Sequence, residues 1–550
     1  MKKIISAILI LLFSFQFAFS QETINENQKL TSLCKIWGFL KYYHPSVAKG
    51  KFMWDEELIN KISEIEKVNS KTELNELYNS WLTNLGEVPK IEIKPNEKEY
   101  FEKNFNLNWI KDKSIFNDNL IERLTFIEQN RNQDGQFYIS RKGIKAELTN
   151  ELNYANSFPT KDIRIVEFFR FWNLVEYFYP HKYKIQEDWN NLLTETIPEI
   201  LNCKNHTSYH LIYVKLLEKM KDSHAYFHSQ PLNAYFGMKV TPVVSKYSEG
   251  KLIITEYKDK KLANENNLFV GDIISKINNR TIDEIFEKKK KYIIAANDAK
   301  KMKIFTNLDY FFTSSKDTVS VTIERESKIF NNTIKTYYRK ELDKTNKETI
   351  DEKIKWKKLE NNIGYVNMKN SDVPDVEEIY ENLKNSKAII FDIRNYPNYF
   401  GKEIVEKFGK SKKVSAKNIY ADLDYPGKFY WKDIAYGTEK EISPYNGKII
   451  ILVDENSQSR SEWTAMQLQT LENSFIIGSQ TAGSDGELLK YKINDIETAF
   501  TINGVFYPNK DETQGCGIKI DVEIKPTLKG LKANKDEVLE RAIQFINNGK

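Results

Sequence analysis

The sequence predicts a multidomain α/β protein with a helical N-terminal region, and three observations carry that reading. From about residue 354 onward, short apolar runs alternate with amphipathic stretches, the pattern of strands buried on both faces and joined through helices. From Phe236 to about Arg339 the pattern is one of short β runs. Before that, aromatic-rich segments repeat apolar residues at helical spacing. At 550 residues the chain is too long for one ordinary domain, and length alone implies about three or four.

The first segment, MKKIISAILILLFSFQFAFSQ, has Lys2 and Lys3, an apolar stretch from Ile4 to Phe19, and small residues Ala18 and Ser20 before Gln21. This is the pattern of a secretory signal peptide cut after Ser20. The apolar run is short for a bilayer span, and no cysteine follows to mark a lipoprotein. No later segment is apolar enough to cross a membrane. The expected location is therefore outside the cytoplasm, periplasmic or secreted. A formal charge of +5 with no concentrated basic patch gives no reason to expect a nucleic-acid partner. Hydrophobic residues at 40% and charged residues at 29% fit a folded globular chain. Cys34, Cys203 and Cys516 form no paired framework and no CxxC, and allow at most one disulfide.

Two helical segments share a pattern, LTSLCKIWGFLKYYHPS at 30–46 and RIVEFFRFWNLVEYFYPHK at 164–182. Each carries a tryptophan (Trp37, Trp172), an aromatic cluster, and a proline that ends the helix. They read as related units, the first followed by a charged linker around 87–160. His44 and His181, beside those prolines, read as packing residues. His206 and His210 are four apart, a spacing that could face a metal, but no Glu or Cys completes such a site. KDSHAYFHS (221–229) ends a helix at Asp222-Ser223, which puts His224 on a turn suited to presenting a side chain.

In the β-rich middle, Val270-Gly271-Asp272-Ile273-Ile274 followed by Lys276-Ile277-Asn278 resembles the "GDxIxxIN" run of PDZ domains. Such domains add an extended peptide to a sheet edge and often clasp its C-terminal carboxylate. The resemblance implies a peptide or protein partner and makes Gly271 and Asp272 candidate substrate contacts.

In the last part, IGYVNM, AIIFDIR, KIIILVDE and FIIGS read as buried strands, with VEEIYENLKN and SEWTAMQLQTLEN as helices. Between KIIILVDE and the helix after it stand Ser457, Ser459 and Ser461. If the helix starts near Arg460, Ser459 is its N-cap and Glu462 is at N3, a capping box worth about 1 kcal/mol. The same position suits a nucleophile, because free amides and the helix dipole can hold developing negative charge. Geometry favours Ser459 among the three but does not separate capping from catalysis.

These residues resemble the serine peptidases of the C-terminal processing and tricorn-core family, over roughly residues 205–545. The resemblance rests on Ser459-x-x-Glu462 after a buried strand, the PDZ-like segment, IGSQTAGSDG (477–486), and GCGIKIDVEIKPT (515–527), which is similar to that family's closing run. It implies a crotonase/ClpP-like α/β superhelix as the catalytic core and an acyl-enzyme on Ser459. One branch of the family uses a lysine in a "TFGKG" loop; here Ser484 stands in that place. The tricorn-like branch uses a histidine in a "D-G-H-T" run, and DSHA matches it, so His224 is the implied general base. Gln514 stands nearest the position of the partner that orients the base. Asp511 and Glu512 flank it, with Glu512 read as a solvated turn carboxylate. The backbone of Arg460 is the first oxyanion donor. The second falls in DIRNYPNYFG, where the family is glycine-rich, and Pro397 leaves Asn398 or Tyr399 to donate.

The implied organisation is a signal peptide at 1–20, a helical region at 21–155, a second helical unit with His224 at 156–235, a PDZ-like domain at 236–345 and a serine peptidase core at 346–550. The implied chemistry needs no metal or organic cofactor. Two other readings use the same residues: a degenerate core that captures peptides without cutting them, and a serine hydrolase acting on esters or glycans.

Overall fold

The computed structural model describes residues 23–92, 97–154, 157–308, 310–342, 354–437 and 444–549. The expected signal segment, residues 1–20, lies outside them. No helix among the described residues is long and apolar enough to cross a membrane.

The N-terminal helices form a duplicated three-helix unit. Glu26–Tyr43, Trp54–Ile65 and Lys71–Asn84 make the first copy. Lys161–Phe178, Trp189–Asn202 and His206–Lys219 make the second, each start keeping one constant offset. A buried indole N–H needs an acceptor, and each copy solves this in the same way. Trp37 donates to the Trp54 carbonyl at 3.0 Å and Trp54 returns a bond to Trp37 at 3.2 Å. Trp172 and Trp189 repeat the exchange at 3.0 and 3.2 Å. The copies meet where Gly38 faces Asn173. A Cβ on Gly38 would lie 1.8 Å from Asn173 Oδ1, so only glycine lets the two helices approach. The Asn173 amide donates across to the Cys34 carbonyl at 3.0 Å.

The β-rich middle is an antiparallel sheet in the order Lys328–Lys335, Thr318–Arg325, Ile273–Ile277, Lys251–Tyr257, Val243–Ser248. It has its own apolar core around Leu252, Ile254, Ile274 and Ile323.

The C-terminal part is built on a six-stranded sheet. An antiparallel edge strand, Trp356–Leu359, is followed by Ile363–Asn367, Ala388–Asp392, Lys448–Val453, Ser474–Gly478 and Val522–Glu523, all parallel. Successive side chains of a strand point to opposite faces, and both faces are covered. Ile389, Phe391, Ile449 and Ile451 join the core under Gly401–Phe408 and Arg460–Leu468. Ala388, Ile390, Ile450 and Leu452 join the core under the helix Glu537–Asn548. That double burial is why these strands are uninterrupted apolar runs.

The stretch expected to be a linker around 87–160 is instead structured over much of its described length. It contains the helix Asp118–Gln129 and a hairpin of Ile139–Lys142 with Lys145–Leu148. Its strand Tyr100–Phe101 pairs with Phe429–Tyr436 of the C-terminal part. Tyr226–Phe227, just after His224, likewise pairs with Ile496–Thr501. These short pairings tie the helical region to the sheet system and set where His224 stands. All three cysteines are free.

Candidate active site

Of the three serines after the central strand, Ser457 and Ser461 are fully buried. Ser457 Oγ donates to the Ile393 carbonyl at 3.3 Å. Ser459 is half-buried and alone of the three lines two adjoining cavities, of about 400 and 880 Å³. Its backbone has φ 55° and ψ −118°. An ordinary N-cap lies in the β region, and a non-glycine residue here is strained by about 1–3 kcal/mol. Ser459 ends the loop that joins the strand Lys448–Val453 to the helix Arg460–Leu468.

Glu462 holds that turn. Its buried carboxylate accepts the Thr481 hydroxyl at 2.5 Å, the Gly483 and Ser484 amides at 2.8 and 3.0 Å, and the Ser459 amide at 3.3 Å. Burial pushes its pKa up to about 7, while the four donors favour the charged form. The Ser459 amide also reaches the Ser484 carbonyl at 3.0 Å. The glutamate thus locks the serine turn to the loop 481–486.

His224 lines the larger cavity with Ser459. Asp222, fully buried, organises it. Its carboxylate accepts the His224 amide at 2.9 Å, the Ser484 hydroxyl at 2.7 Å, and the Thr501 amide and hydroxyl at 2.7 and 3.0 Å. Thr501 Oγ1 lies 3.1 Å and Ser484 Oγ 3.3 Å from His224 Nδ1, and Asp222 Oδ1 itself is 4.0 Å away. Both hydroxyls spend their protons on Asp222, so Nδ1 must donate and carry the ring proton. That leaves Nε2 with its lone pair, the tautomer a base requires. Burial lowers the His224 pKa, against a smaller upward pull from Asp222. Sequence reasoning missed this role of Asp222, and missed Thr501 altogether.

The structure corrects three site expectations. Gln514 does not reach the imidazole; its amide donates to the Lys221 carbonyl at 2.8 Å. The neighbouring Glu512 bonds Lys103 and Tyr183 at 3.2 and 3.0 Å, and Asp511 pairs with Lys519. Asn398 has no free amide, because its N–H donates to the Met368 carbonyl at 3.0 Å. Its side chain is also spent, on the Lys369 and Ser371 carbonyls at 3.0 and 2.9 Å. Gly271 and Asp272 form an internal turn rather than a ligand contact. Gly271 N–H donates to Ile254, and the buried Asp272 carboxylate takes Arg325 at 2.7 and 2.8 Å.

The amides of Arg460 and Tyr399 have no hydrogen-bond partner among the described residues, and both residues line the smaller cavity with Ser459. The Arg460 side chain clamps the loop that carries Tyr399. Its guanidinium stacks 3.3 Å from the Tyr399 ring centre and donates to the Pro397 carbonyl at 3.2 Å.

His44, His181 and His210 are buried in the packing of the helical region. Burial pushes the pKa values of His181 and His44 down to about 3 and 4. His210 Nδ1 meets Ser229 Oγ at 3.0 Å. Among the described residues, no group of three or more His, Cys, Asp or Glu is placed to hold a metal.

Residues 362–524 match the model of peptidase family S41. No curated protein matches the chain. Among solved structures, mature CPAF complexed with lactacystin is similar over 70% of this chain and 99% of its own, at 11% identity and a TM-score of 0.54. That is a likeness of fold. The photosystem II D1 C-terminal processing protease matches 69% of this chain and 99% of its own, at 14% identity and a TM-score of 0.37. The tricorn protease matches 70% of this chain and 36% of its own, at 14% identity and a TM-score of 0.32.

Proposed function

We propose, for a chain that belongs through residues 362–524 to the serine peptidases of family S41, that it is an exported enzyme cleaving peptide bonds through an acyl-enzyme on Ser459. The observation that carries this reading is the backbone of Ser459, turned out of cap geometry toward a cleft it shares with His224.

In this reading His224 Nε2 takes the Ser459 Oγ proton as Oγ attacks the scissile carbonyl. The Arg460 and Tyr399 amides hold the oxyanion. Collapse breaks the C–N bond, and the imidazolium gives its proton to the leaving amine. Water then repeats the sequence on the acyl-enzyme, releasing the acid and restoring the serine. Asp222 stabilises the imidazolium through the Thr501 and Ser484 hydroxyls rather than by direct contact. The β-rich middle acts as a PDZ-like module that brings peptide C-termini to the cleft, and the core follows the crotonase/ClpP-like plan. The signal-like pattern of residues 1–20 supports a location in the periplasm or outside the cell.

The test is hydrolysis of an unfolded protein by the mature chain beside Ser459→Ala and His224→Ala. Cleavage by the wild type that both variants lose supports the reading. Tight peptide binding with no cleavage by a folded wild type would favour a peptide-capturing protein, and turnover of esters with no peptide cleaved would favour the ester or glycan hydrolase.

A further inference from the structure

The cavities on either side of Ser459 differ in chemistry. His224 lines the larger one and is absent from the smaller. In the proposed reaction the leaving amine takes its proton from His224, so the leaving side of the substrate lies in the larger cavity. The smaller cavity, about 400 Å³, then receives the side chain whose carbonyl is attacked.

That smaller cavity holds two buried acceptors that no donor meets among the described residues. Asp485, buried to 7% exposure, accepts the Gly486 amide with Oδ1 at 2.7 Å, while its Oδ2 has no partner among the described residues. Asn418, also buried, gives its amide N–H to the Tyr420 hydroxyl at 3.1 Å and leaves Oδ1 unpartnered. A buried acceptor without a donor costs about 1–3 kcal/mol, so two lining one cavity next to a nucleophile point to a ligand that brings N–H groups. Of the basic residues there, Lys402 lies 3.6 Å from Glu406, and the Arg460 guanidinium is stacked on Tyr399 and bonded to the Pro397 carbonyl, with its Nε unpartnered among the described residues. The walls include Tyr420, Tyr436 and Trp463, flat rings suited to the methylenes and charge of a long cationic side chain.

We infer that this cavity is the acyl-side specificity pocket and selects arginine or lysine, with Asp485 as the counter-ion and Asn418 as a second acceptor. The inference rests on the peptidase reading above. Asp485 is a specificity residue in it and takes no part in the proton transfers. Burial, and less so the nearby Glu462, raise its pKa, and a cationic side chain beside it favours its charged form.

The test uses peptides identical except at the residue preceding the cut, with Arg, Lys, Leu or Glu there. The wild type should favour Arg and Lys over Leu in kcat/KM by about tenfold to a hundredfold, the size of a charge-assisted hydrogen bond. Asp485→Asn should collapse that ratio toward one. A wild-type ratio of one or less, or a ratio that survives in the variant while all rates fall together, would overturn the inference. Calorimetry of the wild type with acetyl-arginine amide and acetyl-citrulline amide needs neither turnover nor a folded variant. Arginine should bind about tenfold tighter, and equal affinity would sink the idea. A wild type that cleaves no peptide yet prefers arginine would refute the peptidase reading alone.

Discussion

Ser70-Lys71-Thr72-Glu73 and Ser459-Arg460-Ser461-Glu462 carry the same Ser-x-x-Glu signature at the start of a helix. At the first, the Ser70 backbone is extended, φ −134° and ψ 159°, and its hydroxyl accepts the Glu73 amide at 3.2 Å. Glu73 bonds the neighbouring Asn69 amide at 2.7 Å and stays with its own turn. At the second, the Ser459 backbone is left-handed and the glutamate is buried, gripping a loop about twenty residues away in sequence. The difference teaches that the four-residue pattern only starts a helix. What sets the second turn apart is a parallel strand that ends at Val453, a short loop before the serine, and a distant loop that supplies the glutamate with donors.

The comparison can be sharpened by changing what surrounds each serine. The largest effect is expected at Asp222, which has no counterpart at Ser70. Asp222→Asn should lower kcat by about 10³–10⁴-fold, because an amide in that place disturbs the Nδ1-protonated tautomer of His224. A change of less than tenfold in a folded variant would show that Thr501 and Ser484 orient the ring without the carboxylate.

The glutamates come next. Glu462→Gln puts an NH₂ group against backbone donors and should cost about 1–3 kcal/mol of stability, with about a hundredfold loss of kcat from a displaced Ser459. Glu73→Gln should leave activity unchanged. The pH profile separates the groups by where the acid limb falls. Glu462, pushed up to about 7 by burial, is protonated first as pH falls, and its grip on the turn weakens. His224, lowered from 6.5 by burial, stays neutral to more acidic pH. The acid limb of kcat/KM should therefore lie near pH 7 in the wild type and move to lower pH, below 6.5, in Glu462→Gln. The stability sign runs the other way: a carboxyl raised when folded contributes most below its unfolded pKa and loses that contribution as pH rises through 7, so acid that loosens the turn does not lower global stability through this group. A limb that stays in place in the variant would remove Glu462 from the account.

The smallest effect is at Ser70. Ser70→Ala should cost about 1 kcal/mol in denaturant unfolding, the worth of a cap, and nothing in activity.

How much of this was legible follows from what each feature needs. Ile363–Asn367, Ala388–Asp392, Lys448–Val453 and Ser474–Gly478 stand out in the sequence because burial on both faces demands unbroken apolar runs. The duplicated tryptophan helices were readable as well. The other two helices of each copy were not recognised as repeated, since they share starts and packing more than residues. Tyr100–Phe101 and Tyr226–Phe227 are too short to show any period. Ser459, Glu462 and His224 could be singled out from local patterns. Asp222 stood in view beside His224, but its importance depends on Thr501 and Ser484, far along the chain. Asn398 and Gln514 were misjudged because the Met368 and Lys221 carbonyls that occupy them are set by tertiary packing.

The most direct test of the central claim is to label the folded mature protein with a fluorophosphonate and map the adduct by mass spectrometry, beside Ser459→Ala and Ser70→Ala. An adduct on Ser459 in the wild type and in Ser70→Ala, absent in Ser459→Ala, is the predicted result. No adduct on the folded wild type, or one that persists in Ser459→Ala, would contradict the account and return Ser459 to the role of a helix cap.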